Sequence, residues 1–234
     1  MKKLSLIIPC FNESESIPEL LASCNKAFYG KDIEVIIVDN GSTDNTHEVV
    51  SKLLSKYKFV NLVRVQKNIG YGHGIIQGLN KSTGEIIGWT HADLQTNPAD
   101  VLQGMEFFNH NNYFFVKGRR YGRPKLDVLF TIGMSLFETL LMKNLMWDIN
   151  AQPTLFHRSF FDSWENPPND FSLDLFAYFL AKKKCLTIKR FPVLFSERVY
   201  GVSHWNINFS EKYKFIKRTL QYSFSLKKRF KGNA

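Results

Sequence analysis

Residues 85–95 read EIIGWTHADLQ, and this stretch decides the fold. Its first half, Glu85 to Thr90, is strand-like, and Pro98 shortly after it is typical of a helix start. Asp93 and Gln95 therefore stand at the carboxyl end of a strand, where open α/β sheets collect their ligands. In an extended segment the two side chains point the same way, so both can offer oxygen to one divalent cation. The alternative is an ordinary loop that caps the helix.

Three similar units precede this stretch. Their strands are short apolar runs at residues 4–8, 33–38 and 60–65, and each run is followed by a polar or glycine-containing loop and by apolar residues at helical spacing. Four such units predict an α/β fold with a mostly parallel sheet flanked by helices. Because the strand ends share one edge of the sheet, they gather the polar residues Asn12, Glu13, Asp39, Asp44, Asn68 and Asp93.

The composition predicts one large domain with a basic surface. The chain has 234 residues, of which 44% are hydrophobic, and its 31 lysines and arginines outnumber 21 acidic residues. Anionic partners such as a nucleotide, a lipid phosphate or a membrane surface are therefore expected. The three cysteines show no metal-ligand spacing, which favours reduced thiols in a cytosolic protein. Neither a signal peptide nor a membrane-spanning run is expected.

The last part of the chain reads as a basic amphipathic helix. Residues 209–231 place apolar side chains at helical spacing among six lysines and two arginines against one glutamate, a local charge of +7. Such a helix suits an anionic membrane surface, where each basic residue contributes about 1 kcal/mol. A partner-docking helix is the alternative, while nucleic acid is not expected because no recognised binding motif is present. The predicted units are a domain at 1–205 and this helix at 206–234.

Two further segments have open interpretations. Residues 126–147 are apolar but interrupted by charges, which favours a helix that lies partly in a membrane interface. Gly70, Gly72 and Gly74 lack the last glycine of a dinucleotide-binding fingerprint, so that function is excluded. These glycines either bring the backbone close to a phosphate or form a tight turn at a helix start.

Four motifs in order resemble those of family 2 glycosyltransferases of the GT-A fold, and they are most similar to the polyprenyl-phosphate branch typified by dolichol-phosphate mannosyltransferase. The motifs are residues 8–13, 38–46, 68–72 and 92–95. The resemblance implies a Rossmann-like GT-A sheet, a nucleotide-sugar donor, Mg²⁺ or Mn²⁺ as cofactor, and inversion at the anomeric carbon.

The resemblance also implies roles for individual residues on the donor side. The loop that lines the nucleotide would contain Pro9, Phe11 and Glu13, the base would be read by Asp39, and the metal would be held by Asp93 and Gln95. His91 stands where this branch usually has a first aspartate, which lowers the negative charge of the site. A neutral imidazole can itself ligate Mn²⁺, so His91 is either a third metal ligand or a group that contacts the sugar.

On the acceptor side, a strand predicted at residues 113–116 is followed by a basic loop at 117–123, in which the resemblance favours Arg119 as the residue facing a lipid phosphate. Arg198 and Ser203 lie on a glycine-containing loop that would close over the diphosphate. Asp170 is either a helix cap or the base that deprotonates an acceptor hydroxyl, and Asp174 is the alternate candidate for that base. A phosphate acceptor would need no base.

The sequence as a whole predicts an inverting, metal-dependent glycosyltransferase that moves a sugar from a nucleotide-sugar to a polyprenyl phosphate or a lipid-linked glycan, in the synthesis of cell-surface polysaccharide or glycolipid. It would be cytoplasmic and peripheral on the inner face of the plasma membrane. The alternative is a catalytically silent protein that binds nucleotide-sugars or acts as a scaffold.

Overall fold

A computed structural model describes residues 3–109, 113–200 and 209–230 of the chain. Within these residues the protein forms seven strands and eight helices. The strands are β1 Leu4–Cys10, β2 Ile33–Asn40, β3 Val60–Val65, β4 Ile86–Trp89, β5 Phe114–Tyr121, β6 Thr154–His157 and β7 Thr187–Leu194. The helices are α1 Ile17–Phe28, α2 Thr46–Leu53, α3 Tyr71–Lys81, α4 Asp100–Met105, α5 Lys125–Met142, α6 Arg158–Asp162, α7 Leu173–Lys183 and α8 Phe209–Arg229.

All seven strands belong to one sheet in the order β3-β2-β1-β4-β6-β5-β7. The first four pair in parallel, as the four βα units predict. β6 runs antiparallel to both β4 and β5, and β7 is again parallel to β5. Six strands therefore share one direction, which confirms the predicted α/β class with a mostly parallel sheet. The carboxyl ends of β1, β2 and β4 lie side by side.

Both faces of the sheet are buried, which explains why its central strands are nearly continuous apolar runs. Every residue of β2 is buried. In β1, Leu6 and Ile8 pack with α1, α2 and α4, whereas Ile7 faces the opposite side with α3, α6 and α7. Removing such a side chain from water stabilises the fold by about 1.5–3 kcal/mol. Because successive residues of β1 face opposite sides of the sheet, this burial stabilises the helices on both faces.

The predicted boundary between strand and basic loop at residue 116 is wrong, because β5 continues to Tyr121. All eight residues of β5 pair with β7, and this backbone pairing carries the strand through the cationic segment. Lys117 is 0% exposed as a result, and its ammonium group lies inside the protein rather than on a loop. The basic residues at 117–121 therefore belong to a strand, and the sequence did not indicate this because the partner strand, β7, lies much later in the chain.

The described part of α8 packs against the body of the protein. Leu226 is buried, the rings of Phe224 and Phe137 meet edge to face at 6.2 Å, and Ser223 is hydrogen-bonded to Glu138 of α5. The boundary predicted between residues 205 and 206 falls in 201–208, outside the described residues.

Helix α5 carries many exposed apolar side chains. Its exposed residues include Leu126, Leu129, Leu136 and Leu140. Among the residues that the structure describes, however, no helix combines the length and apolar character that crossing a bilayer requires.

Candidate active site

The loops that follow β1 and β2 are fastened to each other at the carboxyl edge of the sheet. The backbone N–H of Asn12 donates to Oγ of Ser42 at 3.1 Å, and Asn12 Oδ1 accepts from the N–H of Thr43 at 2.8 Å. The N–H of Glu13 donates to Oγ1 of Thr46 at 2.9 Å. Asn12 has a left-handed backbone with φ of 57°, which turns the chain so that Glu13 enters the site.

Asp39 lies at the end of β2 beside this loop pair. Its side chain is 1% exposed, and Oδ1 accepts from the backbone N–H of Ser42 at 2.9 Å. Its other oxygen, Oδ2, lies 3.4 Å from Nδ1 of His47 and 3.9 Å from Nε of Arg64. The strand register places Pro9 beside Val38, so that Phe11 follows at the same edge of the sheet. The predicted nucleotide-binding residues on β1 and β2 are therefore neighbours.

Asp93 stands in a tight turn after β4, so the extended segment predicted to align Asp93 with Gln95 is wrong. Leu94 has φ of 59°, and Asp93 Oδ1 accepts from the backbone N–H of Gln95 at 3.2 Å. The amide nitrogen of Gln95 donates to the backbone carbonyl of Ser196 at 3.2 Å, while the N–H of Ser196 donates to the carbonyl of Gln95 at 2.8 Å. These two hydrogen bonds hold the segment after β7 across the opening of the site.

Arg198, on the same segment, joins the β1 and β4 loops. Its Nη2 donates to Oε1 of Glu13 at 2.8 Å and to Oδ2 of Asp93 at 3.4 Å. Burial raises the pKa of Glu13, and the guanidinium of Arg198 opposes that rise by favouring the carboxylate. Two carboxylates from distant loops thus share one positive charge at the centre of the predicted donor site.

The residues predicted to hold a metal fit a cation that is completed by substrate. Asp93 and Gln95 supply one carboxylate and one amide, and the structure already places a cation, the guanidinium of Arg198, against Asp93. Among the described residues no group of three or more His, Cys, Asp or Glu side chains could hold a metal ion. Mg²⁺ and Mn²⁺ sites that use substrate phosphates need only one or two carboxylates from the protein.

His91 lies in an aromatic wall next to Asp93. Its ring stacks near Tyr71 with centroids 6.4 Å apart, and Tyr71 in turn stacks on Phe171 at 4.7 Å and 10°. Burial lowers the pKa of His91 although the charges of Asp93 and Asp174 oppose the change. The imidazole is therefore neutral near pH 7 and can accept or donate a hydrogen bond beside the predicted metal site.

A buried ion pair that the sequence did not indicate lies beneath this wall. Lys117 Nζ donates to Oγ1 of Thr154 at 2.7 Å and to Oδ1 of Asp174 at 3.4 Å. Burial lowers the pKa of Lys117 to about 8 and raises the pKa of Asp174, while each charge stabilises the other. Asp174 is 2% exposed and engaged with Lys117, so it supports the site from below rather than facing an acceptor.

Asp170 is placed beside the start of α3 by a close backbone approach. The carbonyl of Asn169 accepts from the N–H of His73 at 2.8 Å, and a side chain at Gly72 would come within 2.6 Å of the carbonyl of Pro168. Packing against this segment, together with a φ of 139° at Gly70, explains the glycine run and favours its structural interpretation.

The carboxylate of Asp170 has two partners. Oδ1 accepts from the backbone N–H of Ser172 at 2.9 Å, and Oδ2 lies 3.2 Å from Nε of Arg218 on α8. The N-cap of α7 is Ser172, so Asp170 lies in the turn before the helix, where it is 27% exposed and next to Phe171 of the aromatic wall.

The remaining predicted residues lie further out. Arg119 is exposed, whereas Arg120, which points to the other face of β5, forms hydrogen bonds with Asp148 at 2.5 and 3.0 Å. Arg120 and Asp148 were not predicted, and only the alternation along β5 would have separated Arg120 from Arg119. Ser203 lies outside the described residues.

Comparison with known proteins assigns the chain to a family. The sequence profile of glycosyl transferase family 2 matches residues 5–166. A dolichol-phosphate mannosyltransferase of Pyrococcus furiosus is 33% identical over 119 residues, which cover 51% of this chain and 33% of that protein. The aligned part of the chain thus spans about a third of the length of this curated relative.

Two solved structures share the fold. A mannosyltransferase of Pyrobaculum calidifontis, solved with GDP-Man and Mn²⁺, has a TM-score of 0.64 at 21% identity and is matched over 86% of this chain and 58% of its own. Glucosyl-3-phosphoglycerate synthase of Mycobacterium tuberculosis, solved with Mn²⁺, UDP and phosphoglyceric acid, has a TM-score of 0.74 at 14% identity over 97% of this chain and 78% of its own. Both confirm the predicted sheet with flanking helices. The profile match over residues 5–166 establishes that the chain belongs to glycosyl transferase family 2.

Proposed function

We propose that the protein transfers a sugar, with inversion, from a nucleotide-sugar to a polyprenyl phosphate or to a hydroxyl of a lipid-linked glycan. The observation that carries the proposal is the convergence of Glu13, Asp93 and Arg198 at the carboxyl edge of the sheet, with Asp39 on the neighbouring strand. Membership of the family supports the reaction class, and the dolichol-phosphate mannosyltransferase relative supports a lipid acceptor.

The donor would lie across the ends of β1, β2 and β4. Asp39 offers a buried carboxylate that suits the N–H groups of a base, and Phe11 offers an apolar surface next to it. Glu13 belongs to the fastened loop pair, so it is held in place before any donor arrives. A preformed base site limits the ordering cost of binding.

Asp93 and Gln95 would hold the divalent cation, with His91 beside them. When bound, Mg²⁺ or Mn²⁺ would neutralise negative charge on the diphosphate. Mn²⁺ in the related solved complexes supports this assignment. His91 is neutral and lies on the side of the aromatic wall, where it can contact either the cation or a sugar hydroxyl.

Arg198 would stabilise the leaving group. Its guanidinium already lies between two carboxylates of the donor site. A diphosphate offers oxygens that carry more negative charge, and the planar guanidinium can donate two parallel hydrogen bonds to them. Negative charge that grows on the departing diphosphate is then met by a fixed donor, which is electrostatic stabilisation of the transition state. The acceptor attacks from the opposite face of the sugar, which accounts for inversion.

Asp170 would act on the acceptor side. With a hydroxyl acceptor it removes the proton, and its contact with Arg218 orients it. With a phosphate acceptor no base is needed, because the nucleophile is already an anion.

The acceptor would be met at a membrane surface. The exposed apolar face of α5 and the basic residues of α8 belong to packed neighbouring helices, as Ser223 and Glu138 show. An apolar face beside basic residues is typical of helices that lie in the interface of an anionic leaflet. We propose a peripheral position on the cytoplasmic side of the plasma membrane, consistent with synthesis of cell-surface polysaccharide or glycolipid.

One feature favours a second candidate, a silent nucleotide-sugar-binding protein. His91 replaces a carboxylate, and the described residues include no group of three acidic or metal-ligating side chains. Turnover decides between the two. Purified protein with Mn²⁺, UDP- or GDP-sugars and a polyprenyl phosphate or lipid-linked glycan should form the glycosylated lipid and release nucleoside diphosphate, and Asp93→Ala should abolish both. Binding of donor without any turnover would establish the silent protein instead.

A further inference from the structure

A cleft lies between α5, α8 and the start of α7, next to the aromatic wall of the site. Its cavity volume is about 60 Å³, and the cleft opens to solvent. Its lining includes Phe171, which stacks on Tyr71 of the wall, Glu138 of α5 and Thr219 of α8. The cleft thus adjoins the aromatic wall of the predicted site.

The walls of the cleft are largely apolar. Phe130, Met134, Ile149 and Leu175 supply apolar surface, and polar residues that include Thr131, Ser135 and Asn150 also line the cleft. Arg120 also lines the cleft, but its guanidinium is hydrogen-bonded to Asp148 at 2.5 and 3.0 Å. An arginine already matched by a carboxylate gives little attraction to a phosphate, so the interior of the cleft suits an apolar chain better than an anion.

Glu138 is the polar lining residue that indicates a ligand in the cleft. The residue is 0% exposed, and its Oε2 is buried without a hydrogen-bond partner. A buried carboxyl oxygen with no partner costs about 1–3 kcal/mol, and a ligand that donates a hydrogen bond recovers that cost.

The other carboxyl oxygen is already committed. Ser223 Oγ lies 2.5 Å from Oε1 of Glu138 and 2.8 Å from the backbone carbonyl of Thr219. The hydroxyl has one hydrogen, so it serves either the carboxylate or the carbonyl, and in the second case the carboxyl proton sits on Oε1. Above its pKa of about 7 the carboxyl group of Glu138 is ionised, so at pH 8 Oε2 is a hydrogen-bond acceptor; at lower pH a proton on Oε2 would make it a donor.

We infer that this cleft binds the apolar chain of an amphiphilic acceptor and that Glu138 selects an acceptor carrying a hydroxyl group on that chain. The inference rests on the proposed function and deepens it, because it adds a requirement on the apolar chain of the acceptor, whichever group receives the sugar. Glu138 is a specificity determinant and does not touch the reacting atoms.

Three matched isoprenoid probes test the inference by ligand-observed NMR titration of the full chain at pH 8. They are geraniol, geranyl methyl ether and geranyl phosphate, which present a donor, an acceptor only, and an anion on the same chain. We expect the wild type to bind geraniol roughly tenfold more tightly than the ether, the worth of one hydrogen bond to a charged group. Geranyl phosphate should bind more weakly than geraniol because Glu138 is acidic.

Variants at position 138 should erase this preference. Glu138→Leu and Glu138→Met remove Oε2 and keep the apolar volume, so geraniol and the ether should bind equally well. Thr131→Val is the matched control in the same cleft: its hydroxyl donates to the carbonyl of Asp127 and accepts from Arg123, so its loss should leave the tenfold preference in place. Melting curves verify that each variant is folded.

The inference is overturned if the wild type binds geraniol and the ether equally, which would mean that an ordered water serves Oε2. It is also overturned if geranyl phosphate binds most tightly whatever residue stands at position 138. Binding of UDP or GDP with Mn²⁺ to the wild type is measured in the same samples. Failure of nucleotide binding counts against the proposed function, whereas failure of the hydroxyl preference counts against the cleft alone.

Discussion

Arg198 and Glu13 are 185 positions apart in the chain, and their side chains meet at 2.8 Å between Nη2 and Oε1. The contact brings the segment after β7 over the loop after β1, so the donor site is assembled from both ends of the fold. A positive charge therefore stands next to Asp93 and Glu13 before any donor is bound, and the same arginine can move to a diphosphate when one arrives.

Removing this arginine should slow the chemical step. We expect Arg198→Ala to lower kcat for sugar transfer roughly 100-fold or more, because a fixed donor to the leaving diphosphate is lost. Arg198→Lys should recover part of the rate, since it keeps the charge without the planar pair of donors. Lys189→Ala, which removes a cation from β7, is the control and should leave kcat unchanged. An Arg198→Ala enzyme with a wild-type rate would show that the arginine has no role in departure.

Asp170 separates the two acceptor chemistries. With a hydroxyl acceptor, Asp170→Asn should lower transfer roughly 100-fold or more, the usual contribution of a general base. Asp162→Asn, at the exposed end of α6, makes the same chemical change away from the site and serves as control. Activity of Asp170→Asn within roughly tenfold of the wild type would instead indicate a phosphate acceptor, which needs no proton removed.

Glu138 should make stability depend on pH. Burial raises the pKa of Glu138 to about 7, although the hydrogen bond from Ser223 opposes the rise. Between its unfolded pKa near 4.5 and about 7, the native state keeps the proton and the unfolded state releases it, so stability falls as pH rises. The loss amounts to roughly 3 kcal/mol across this window.

Glu138→Gln should remove that slope. Relative to the wild type, the variant should gain stability between pH 5 and pH 8, as measured by urea unfolding at both values. The Arg120–Asp148 pair, which lies in the same cleft, titrates alike in both proteins and cancels in the difference. Parallel stability profiles for the two proteins would contradict the burial of a protonated Glu138.

Removing only one partner of the ion pair between Lys117 and Asp174 should destabilise the fold more than removing both. Lys117→Met leaves a buried carboxylate without its partner, and we expect a loss of about 3 kcal/mol in the free energy of unfolding. The double variant Lys117→Met with Asp174→Leu removes both charges and should recover most of that loss. Equal destabilisation by the single and double variants would mean that packing, not charge, is what Lys117 supplies.

Basic residues on α8 should govern membrane binding. Replacing Lys217, Lys227 and Lys228 together by glutamine removes about 3 kcal/mol of attraction to an anionic surface, so binding to phosphatidylserine vesicles at low salt should fall roughly 100-fold. Replacing Lys26, Lys31 and Lys81, which lie near the amino ends of the strands, removes the same charge and should have little effect. If both sets of lysine substitutions weakened vesicle binding equally, the net charge of the protein, and not the position of α8, would explain the binding.

Much of the donor side could be predicted from the sequence because its signals are local. A β-branched run followed by a polar turn identifies β2 and puts Asp39 at its end, and the same logic places Glu13 and Asp93 at the same edge. The parallel order of β3-β2-β1-β4 follows from four βα units. Each of these conclusions depends on residues within one strand and its loop.

The acceptor side depends on contacts between residues that are far apart in the chain, so little of it could be predicted from the sequence. Lys117 is buried because Asp174, 57 positions later, lies opposite it, and nothing in the basic run 117–123 indicates this. The contact of Asp170 with Arg218 and that of Glu138 with Ser223 likewise arise from the packing of α8. Only the three-dimensional structure shows which of two adjacent arginines, Arg119 or Arg120, faces inward.

The central claim is that Asp93 helps to hold a divalent cation against the diphosphate of a sugar nucleotide. Isothermal titration of UDP and GDP, each with and without Mn²⁺, into the wild type and Asp93→Ala tests it most directly. We predict that Mn²⁺ tightens binding of one nucleotide at least tenfold in the wild type, and that Asp93→Ala loses this gain while its binding without metal changes little. Equal binding with and without Mn²⁺ in the wild type, or a gain that survives in Asp93→Ala, would contradict the claim.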